Sequence, residues 1–320
     1  MDEIGESRRV IGHYVGAEPG PLVVAIGGIH GNEPAGIAAL ERLFELLEEE
    51  PRINPGFTFR GELLALRGNL AALAVGRRFI DVDLNRIWRP LRRAPGEGFA
   101  NVEERELDGL LAAIEHASAD APLSEIVLLD LHTTTAAGGV FAITGDDAPS
   151  LSLAAELGVP VIKGMLSGLQ GSTLHYFRSA DFGGDRRVRA MTFEAGWHGD
   201  PASADRALAA TVNLLRAMGC VREEDVSTLH DETLRAAGRG QPVLTELAYV
   251  HKLAPDGSDG FVMRPGYANF SPVERGEVVA RDRRGDIAAP CTGYLLMPLY
   301  QQQGGEGFFI VTAYRAPLSY

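Results

Sequence analysis

The sequence predicts an α/β layer architecture followed by a smaller β-rich domain, and three observations carry that prediction. From Pro21 to about Gly219, short apolar runs alternate with longer stretches of helical period. Several of the short runs are apolar throughout, as strands buried on both faces are. Beyond about Val226 the helical period fades, and β-like runs alternate with glycine and proline turns. The boundary falls between residues 219 and 235, so the 320 residues divide into a catalytic-sized unit, 1–225, and a β-rich unit, 226–320.

The expected strands of the first unit are Leu22 to Ile26, Glu62 to Leu66, Glu125 to Leu131, Val140 to Thr144, Val159 to Lys163 and Ala190 to Phe193. A helix is expected after Asn32, with Pro34 in its first turn and Ile37, Leu40, Phe44 and Leu47 on one buried face. Asn101 with Glu104 three residues on resembles a capping box, opening a helix that buries Leu107, Leu110, Leu111 and Ile114. A third helix runs from about Pro201 to Met218 with a Leu208, Val212, Leu215 stripe and Gly219 as terminator. In the second unit the expected strands are Val243 to Val250, Val278 to Arg281, Tyr294 to Leu299 and Phe308 to Ala313. Arg89 to Glu97 reads as a surface loop.

An apolar fraction of 45% and a charged fraction of 23% describe an ordinary globular protein. A net charge of -13 argues against general affinity for nucleic acid or an anionic membrane, so an anionic ligand needs a local basic cluster. Cys220 and Cys291 make neither a disulfide framework nor a metal knuckle, and read as two buried thiols in a reducing compartment. The acidic amino terminus has no signal-peptide pattern and no run is long enough to span a bilayer, so the expected location is the cytoplasm. The oligomeric state stays open, a homo-oligomer included.

The chemistry gathers in four segments. In Gly27-Gly28-Ile29-His30-Gly31-Asn32-Glu33 an apolar strand runs into a glycine turn presenting a histidine and a glutamate three residues apart. Alone this is weak, but a strand end is where α/β sheets place their sites. The run Ile126 to Leu131 ends in His132-Thr133-Thr134, a second histidine at a strand terminus. Alone it reads as structural; with His30 and Glu33 it completes a His, Glu, His set, the ligand type of catalytic zinc sites with an open position. Glu194, at the end of Met191-Thr192-Phe193 and before Ala195-Gly196, is the candidate for proton transfer, delivered from the core's edge into a turn. The plainer reading of Glu194 is a salt bridge to a nearby arginine. Arg77 to Arg86 interleaves acidic, apolar, amide and guanidinium groups; a charge run is usually a solvated face, yet this one could grip a carboxylate in a bidentate manner. His175 and His198 receive no role, Trp88 and Trp197 read as packing residues, and Glu48 to Glu50 as a solvated helix end.

Together, the Gly27 to Glu33 turn, the segment ending Asp83-Leu84-Asn85-Arg86, Asp130-Leu131-His132-Thr133 and Phe193-Glu194-Ala195-Gly196 resemble the succinylglutamate desuccinylase/aspartoacylase family, relatives of zinc carboxypeptidases. The resemblance covers about residues 21 to 200. It implies a carboxypeptidase-like α/β/α sandwich with a mixed sheet, plus a smaller C-terminal β-rich domain that narrows the active-site mouth. It implies one Zn2+ per chain on His30, Glu33 and His132, with Glu194 as general base and then acid. Arg78 would polarise the scissile carbonyl, Asn85 and Arg86 would hold a substrate carboxylate, and Asp130 would orient a zinc-bound histidine. Arg178 and Tyr314 resemble the segments that complete the family's pocket, while Asp181 to Asp185 looks like an insertion. The implied substrate is a small anionic N-acyl amino acid such as N-acetylaspartate or N-succinylglutamate. The alternatives are a zinc carboxypeptidase acting on short peptides and a non-catalytic metal-binding interaction protein.

Overall fold

The computed structural model describes residues 8–90, 98–119, 125–178, 182, 187–254 and 257–314. Most of the expected Arg89 to Glu97 loop and all but Phe182 of the expected insertion lie outside the described residues. Among the described residues fourteen strands are formed: β1 Val10–Val15, β2 Glu18–Gly27, β3 Arg60–Arg67, β4 Glu125–Thr134, β5 Phe141–Thr144, β6 Val161–Lys163, β7 Arg187–Trp197, β8 Leu244–Lys252, β9 Val262–Met263, β10 Ser271–Val273, β11 Val278–Asp282, β12 Gly285–Ala288, β13 Gly293–Leu296 and β14 Glu306–Ala313. The helices are α1 Ala35–Ile53, α2 Leu70–Val75, α3 Val102–Ala119, α4 Ala148–Ala155, α5 Met165–Gly168, α6 Thr173–Phe177, α7 Ala202–Ala217 and α8 Leu229–Ala237.

Among the described residues, eleven strands make one mixed sheet in the order β1-β3-β2-β4-β7-β5-β6-β8-β14-β13-β10, and β12-β11-β9 make a small antiparallel sheet. The fold class is therefore the expected α/β one, with a mixed sheet and a β-rich second part. The sheet's centre is parallel: β2 runs alongside β3 and β4, and β4 alongside β7. β7 then meets β5 in antiparallel register. β4 is buried along its whole length, which fits the apolar run Ile126 to Leu129 in its first half. One apolar cluster packs α1 and α7 against one face through Leu40, Leu43, Leu47, Leu214 and Leu215, and a second packs α3 against the other through Leu107, Leu110 and Ile114. A third cluster, including Val279, Leu295, Phe308 and Ile310, fills the β-rich part.

Helix expectations hold with small rotations. Glu104 N–H donates to Asn101 Oδ1 at 2.9 Å, as a cap should. In α1 the buried face is Gly36, Ala39, Leu40, Leu43 and Leu47, so Ile37 and Phe44 flank it rather than centre it. β4 and β7 run beyond their expected ends, which places His132 and Glu194 inside strands; Glu194 is not in a turn. The apolar run was too short a guide because the strand continues through polar residues that face the site. Trp88 packs against Tyr176 and Phe177 as expected. Trp197 is exposed, not packed, because it ends β7 at the surface. Cys220 is buried and Cys291 only partly so, both as free thiols. No helix among the described residues is long and apolar enough to cross a membrane.

Candidate active site

Parallel registers carry the carboxyl ends of β2, β4 and β7 to one edge of the sheet. Gly27 lies opposite Leu131, and His132 lies directly opposite Glu194. Beyond β2 the chain turns through Gly28, at φ 74°, a conformation that favours glycine. At Gly31 a Cβ would fall 2.1 Å from the Ala72 carbonyl carbon, so only glycine lets this turn pack on α2. The turn closes with Glu33 N–H donating to His30 O at 3.1 Å. His30, Glu33 and His132 thereby converge, all buried.

The convergence is specific in its atoms. His30 Nδ1 is 2.9 Å from Glu33 Oε1 and His132 Nδ1 is 3.0 Å from Glu33 Oε2. The opposite nitrogens are each backed by a carboxylate: His30 Nε2 by Asp83 Oδ1 at 3.1 Å, His132 Nε2 by Asp130 Oδ2 at 2.9 Å. Asp130 also accepts from the Thr173 hydroxyl, and Thr133 N–H donates to Glu33 Oε2. Carboxylates behind both imidazoles fix the orientation of the rings, the usual support for metal-ligating histidines. Burial pushes the Glu33 carboxyl up, but His30 and then His132 outweigh it and hold Glu33 well below the usual carboxylate range. Burial lowers His132, and Asp130 and then Glu33 more than reverse it. Bare imidazole nitrogens and a carboxylate are all acceptors, so contacts this close need protons or a cation between them. The ligand atoms of the three residues lie within 4.8 Å of one another and could hold a metal ion.

Glu194 stands beside this set. Burial, above all, pushes its carboxyl up to about 7, and the neighbouring His132 charge only partly offsets that. Its buried Oε2 has no hydrogen-bond partner among the described residues, so that oxygen makes no salt bridge to an arginine there. His198, given no role by the sequence, lines the same pocket. Its Nδ1 sits 2.7 Å from the Thr133 hydroxyl, and its buried Nε2 lacks a protein partner among the described residues. Burial lowers its pKa. His175 is structural, held by Ser172 Oγ at 2.8 Å and Leu166 O at 3.1 Å.

The 78–86 segment is not a solvated charge run but is organised from within. Glu103 at the start of α3, fully buried, accepts from the N–H groups of Ile80, Asp81 and Val82 and from Asn69 Nδ2. Asp83 accepts from Arg78 Nε and Nη2 at 3.2 and 3.0 Å while also backing His30. Burial raises Asp83, but Arg78 and then His30 bring it well below the ordinary range. Arg78 Nη1 comes 3.5 Å from Glu33. Asn85 Oδ1 accepts from Thr173 N–H, leaving its amide NH2 group 3.5 Å from His132 Nε2. All seven sequence candidates, His30, Glu33, Arg78, Asn85, Arg86, His132 and Glu194, line one pocket.

Residues 19–218 match the model of the succinylglutamate desuccinylase/aspartoacylase catalytic domain. The chain belongs to this family. It is 33% identical over 131 residues to a probable aspartoacylase of Nostoc sp., an alignment covering 40% of each chain. It is 41% identical over 81 residues to the succinylglutamate desuccinylase of Pseudomonas putida, covering 25% of this chain and 22% of that one. The aligned parts span less than half of these curated relatives. The fold is similar to that of a succinylglutamate desuccinylase/aspartoacylase from Rhodobacter sphaeroides, with TM-score 0.64, 17% identity, and 93% of this chain and 87% of that one covered. It is also similar to the succinylglutamate desuccinylase of Vibrio cholerae, with TM-score 0.61, 18% identity, and coverage of 92% and 81%.

Two further positions that the desuccinylase/aspartoacylase resemblance pointed to are not at the pocket. Arg178 pairs with Asp147 at 3.0 Å beside Gly145, and the Tyr314 ring takes the Lys163 ammonium 4.2 Å from its centroid. In their stead the loop between β13 and β14 supplies a pocket wall through Met297, Leu299, Gln301 and Gly304, continued by Glu306 at the start of β14. Asn32 Nδ2 donates to Gln301 Oε1 at 3.0 Å and Thr135 Oγ1 to Pro298 O at 2.9 Å, docking this loop on the floor. Glu306 takes Arg86 Nη2 at 2.7 Å. Nothing in the local sequence around Glu306 announces that partner, 220 residues away.

Proposed function

We propose that the protein is a zinc-dependent amidohydrolase that cleaves the amide bond of an N-acyl amino acid, giving a carboxylic acid and an amino acid. The observation that carries this reading is Glu194, buried and pushed up to about 7, facing a His, Glu, His set whose rings are braced by carboxylates. Family membership supports it. His30, Glu33 and His132 would hold one zinc ion per chain; two nitrogens and a carboxylate fit that metal. When bound, zinc supplies Lewis acidity toward the amide carbonyl and lowers the pKa of water to roughly 7.

Glu194 takes a proton from the attacking water and passes it to the departing amine nitrogen, and a carboxyl poised near the working pH suits both directions. Arg78, aimed by Asp83, donates to the carbonyl oxygen as negative charge grows on it. Asn85 and Arg86 hold the substrate carboxylate, with the NH2 group of Asn85 oriented by the Thr173 bond to its oxygen. Residues 226–320 act as a cap, and their contribution to the wall favours a small substrate over a long peptide. Binding sites walled by a second structural unit are common for small molecules.

The test is hydrolysis of N-acyl amino acids by metal-stripped protein reloaded with zinc, cobalt or nickel, reading released amine. Zinc-restored hydrolysis is expected. Inactivity on every N-acyl amino acid at stoichiometric zinc, with cleavage of short peptides, would replace the deacylase by a carboxypeptidase.

A further inference from the structure

The pocket's positive charge is already matched by the chain itself. Arg78 is committed to Asp83 through Nε and Nη2 and approaches Glu33 through Nη1. Arg86 gives Nη1 to the Asn85 carbonyl at 2.8 Å and Nη2 to Glu306 at 2.7 Å. A guanidinium has five N–H donors, so Arg86 retains donors for one substrate carboxylate, but its charge is shared with Glu306. The rest of the lining combines apolar Ile143, Leu169, Leu174, Met297, Leu299 and Phe309 with neutral polar groups such as Ser172, Thr192 and Gln301, and with His198, whose Nδ1 is taken by the Thr133 hydroxyl. Arg178 is held on Asp147 and Lys163 on Glu246, at 3.0 and 3.5 Å, and neither lines the pocket. Among the described residues no further arginine or lysine lines the pocket, so a second substrate carboxylate would meet mainly apolar, neutral or acidic groups there, and an unpaired buried charge is strongly disfavoured.

The geometry points to Glu306 as a specificity-determining residue that restricts the substrate to N-acyl amino acids carrying a single carboxylate and an apolar side chain. This rests on the deacylase reading and deepens it. Glu306 works by neutralising Arg86, which excludes dicarboxylates, and by being neutralised in turn, which leaves no bare carboxylate to recruit a basic side chain. Such exclusion by an unfavourable contact is a usual route to discrimination.

The experiment measures kcat/KM of the zinc-loaded protein for N-acetyl-leucine, N-acetyl-methionine, N-acetylaspartate, N-succinylglutamate and N-acetyl-lysine. In parallel, calorimetry measures the binding of leucine and of aspartate. The wild type should favour the two apolar substrates by at least about tenfold. Glu306→Gln should shrink that ratio about tenfold, chiefly through a lower KM for the acidic substrates, and Glu306→Asp should restore it. Wild-type preference for N-acetylaspartate, N-succinylglutamate or N-acetyl-lysine overturns the inference while leaving the deacylase in place. If nothing is hydrolysed but leucine binds more tightly than aspartate, the deacylase reading falls and the pocket assignment survives. No hydrolysis and no discrimination removes both. A folded Glu306→Gln that keeps the wild-type ratio also overturns the inference; should that variant fail to fold, Glu306→Ala is read in its place.

Discussion

The floor and the wall of the pocket are built on different principles. His30, Glu33, His132 and Glu194 rise from the ends of parallel strands or the turn beyond them, all buried, each ligand tied to at least one carboxylate or backbone group. The wall comes from the loop between β13 and β14, attached by a few polar contacts such as Asn32 to Gln301 and Gln303 to the Phe79 carbonyl. The proposed chemistry is thus placed where register admits little adjustment, and the proposed selectivity where a loop can change without disturbing the His30, Glu33 and His132 set.

The floor should break hardest. Glu194→Gln is expected to lower turnover by about 10²–10⁴-fold with zinc content unchanged by metal analysis, and normal turnover in a zinc-loaded variant would remove Glu194 from the mechanism. The wild-type rate should also fall with decreasing pH at or below about 7, because the protonated carboxyl accepts no proton and bound metal can only lower that pKa. Glu103→Ala, which strips the buried acceptor from the 80–82 backbone, should cost about 3 kcal/mol in chemical denaturation. A loss below 1 kcal/mol would mean the segment holds itself.

Asp83→Asn should weaken metal affinity by about 10–100-fold in chelator competition, through a looser His30. A smaller effect follows from linkage. Folding raises the pKa of Glu194 from 4.5 to about 7, so the folded state keeps a proton that the unfolded chain releases. Stability then declines as pH rises across that window and the deficit is complete above it. Metal-free Glu194→Gln should accordingly exceed metal-free wild type at pH 8 by on the order of 2 kcal/mol, with no gain at pH 4. Equal stability at both values would show that Glu194 ionises without penalty. The wall should give least: Gln301→Ala is expected to change stability by under about 1 kcal/mol while raising KM a few-fold, and a large loss of stability would erase the contrast between floor and wall.

The same contrast explains what could be seen in the sequence. His30, Glu33, His132 and Glu194 were legible because each follows or ends a strongly apolar run, and such runs in an α/β pattern terminate at one sheet edge. Asp83 and Glu103 were visible as residues but not as partners, since each bonds across a turn whose shape they themselves create. His198 was illegible because it follows β7 while its neighbour Thr133 is on β4, 65 residues earlier. Glu306 opens a strand in the opposite half of the chain, and only the completed sheet brings it to Arg86. The missed elements also have reasons: α8 has one buried residue, Leu234, and so no stripe, and β1 is an edge strand with no fully buried position.

The place of β8 in the sheet has a consequence for dissection of the chain. β8 pairs in parallel with β6, Val161 to Leu244 and Ile162 to Thr245, so the second half of the chain covers the hydrogen-bonding margin of the first. A fragment ending near residue 225 would leave that margin open, with the otherwise buried Val161 and Ile162 presenting unpaired backbone to any other extended segment. The β-rich part therefore serves as a guard against sticking between molecules as well as a wall, and the two halves of this chain are better regarded as one sheet that cannot be cut without creating an adhesive seam.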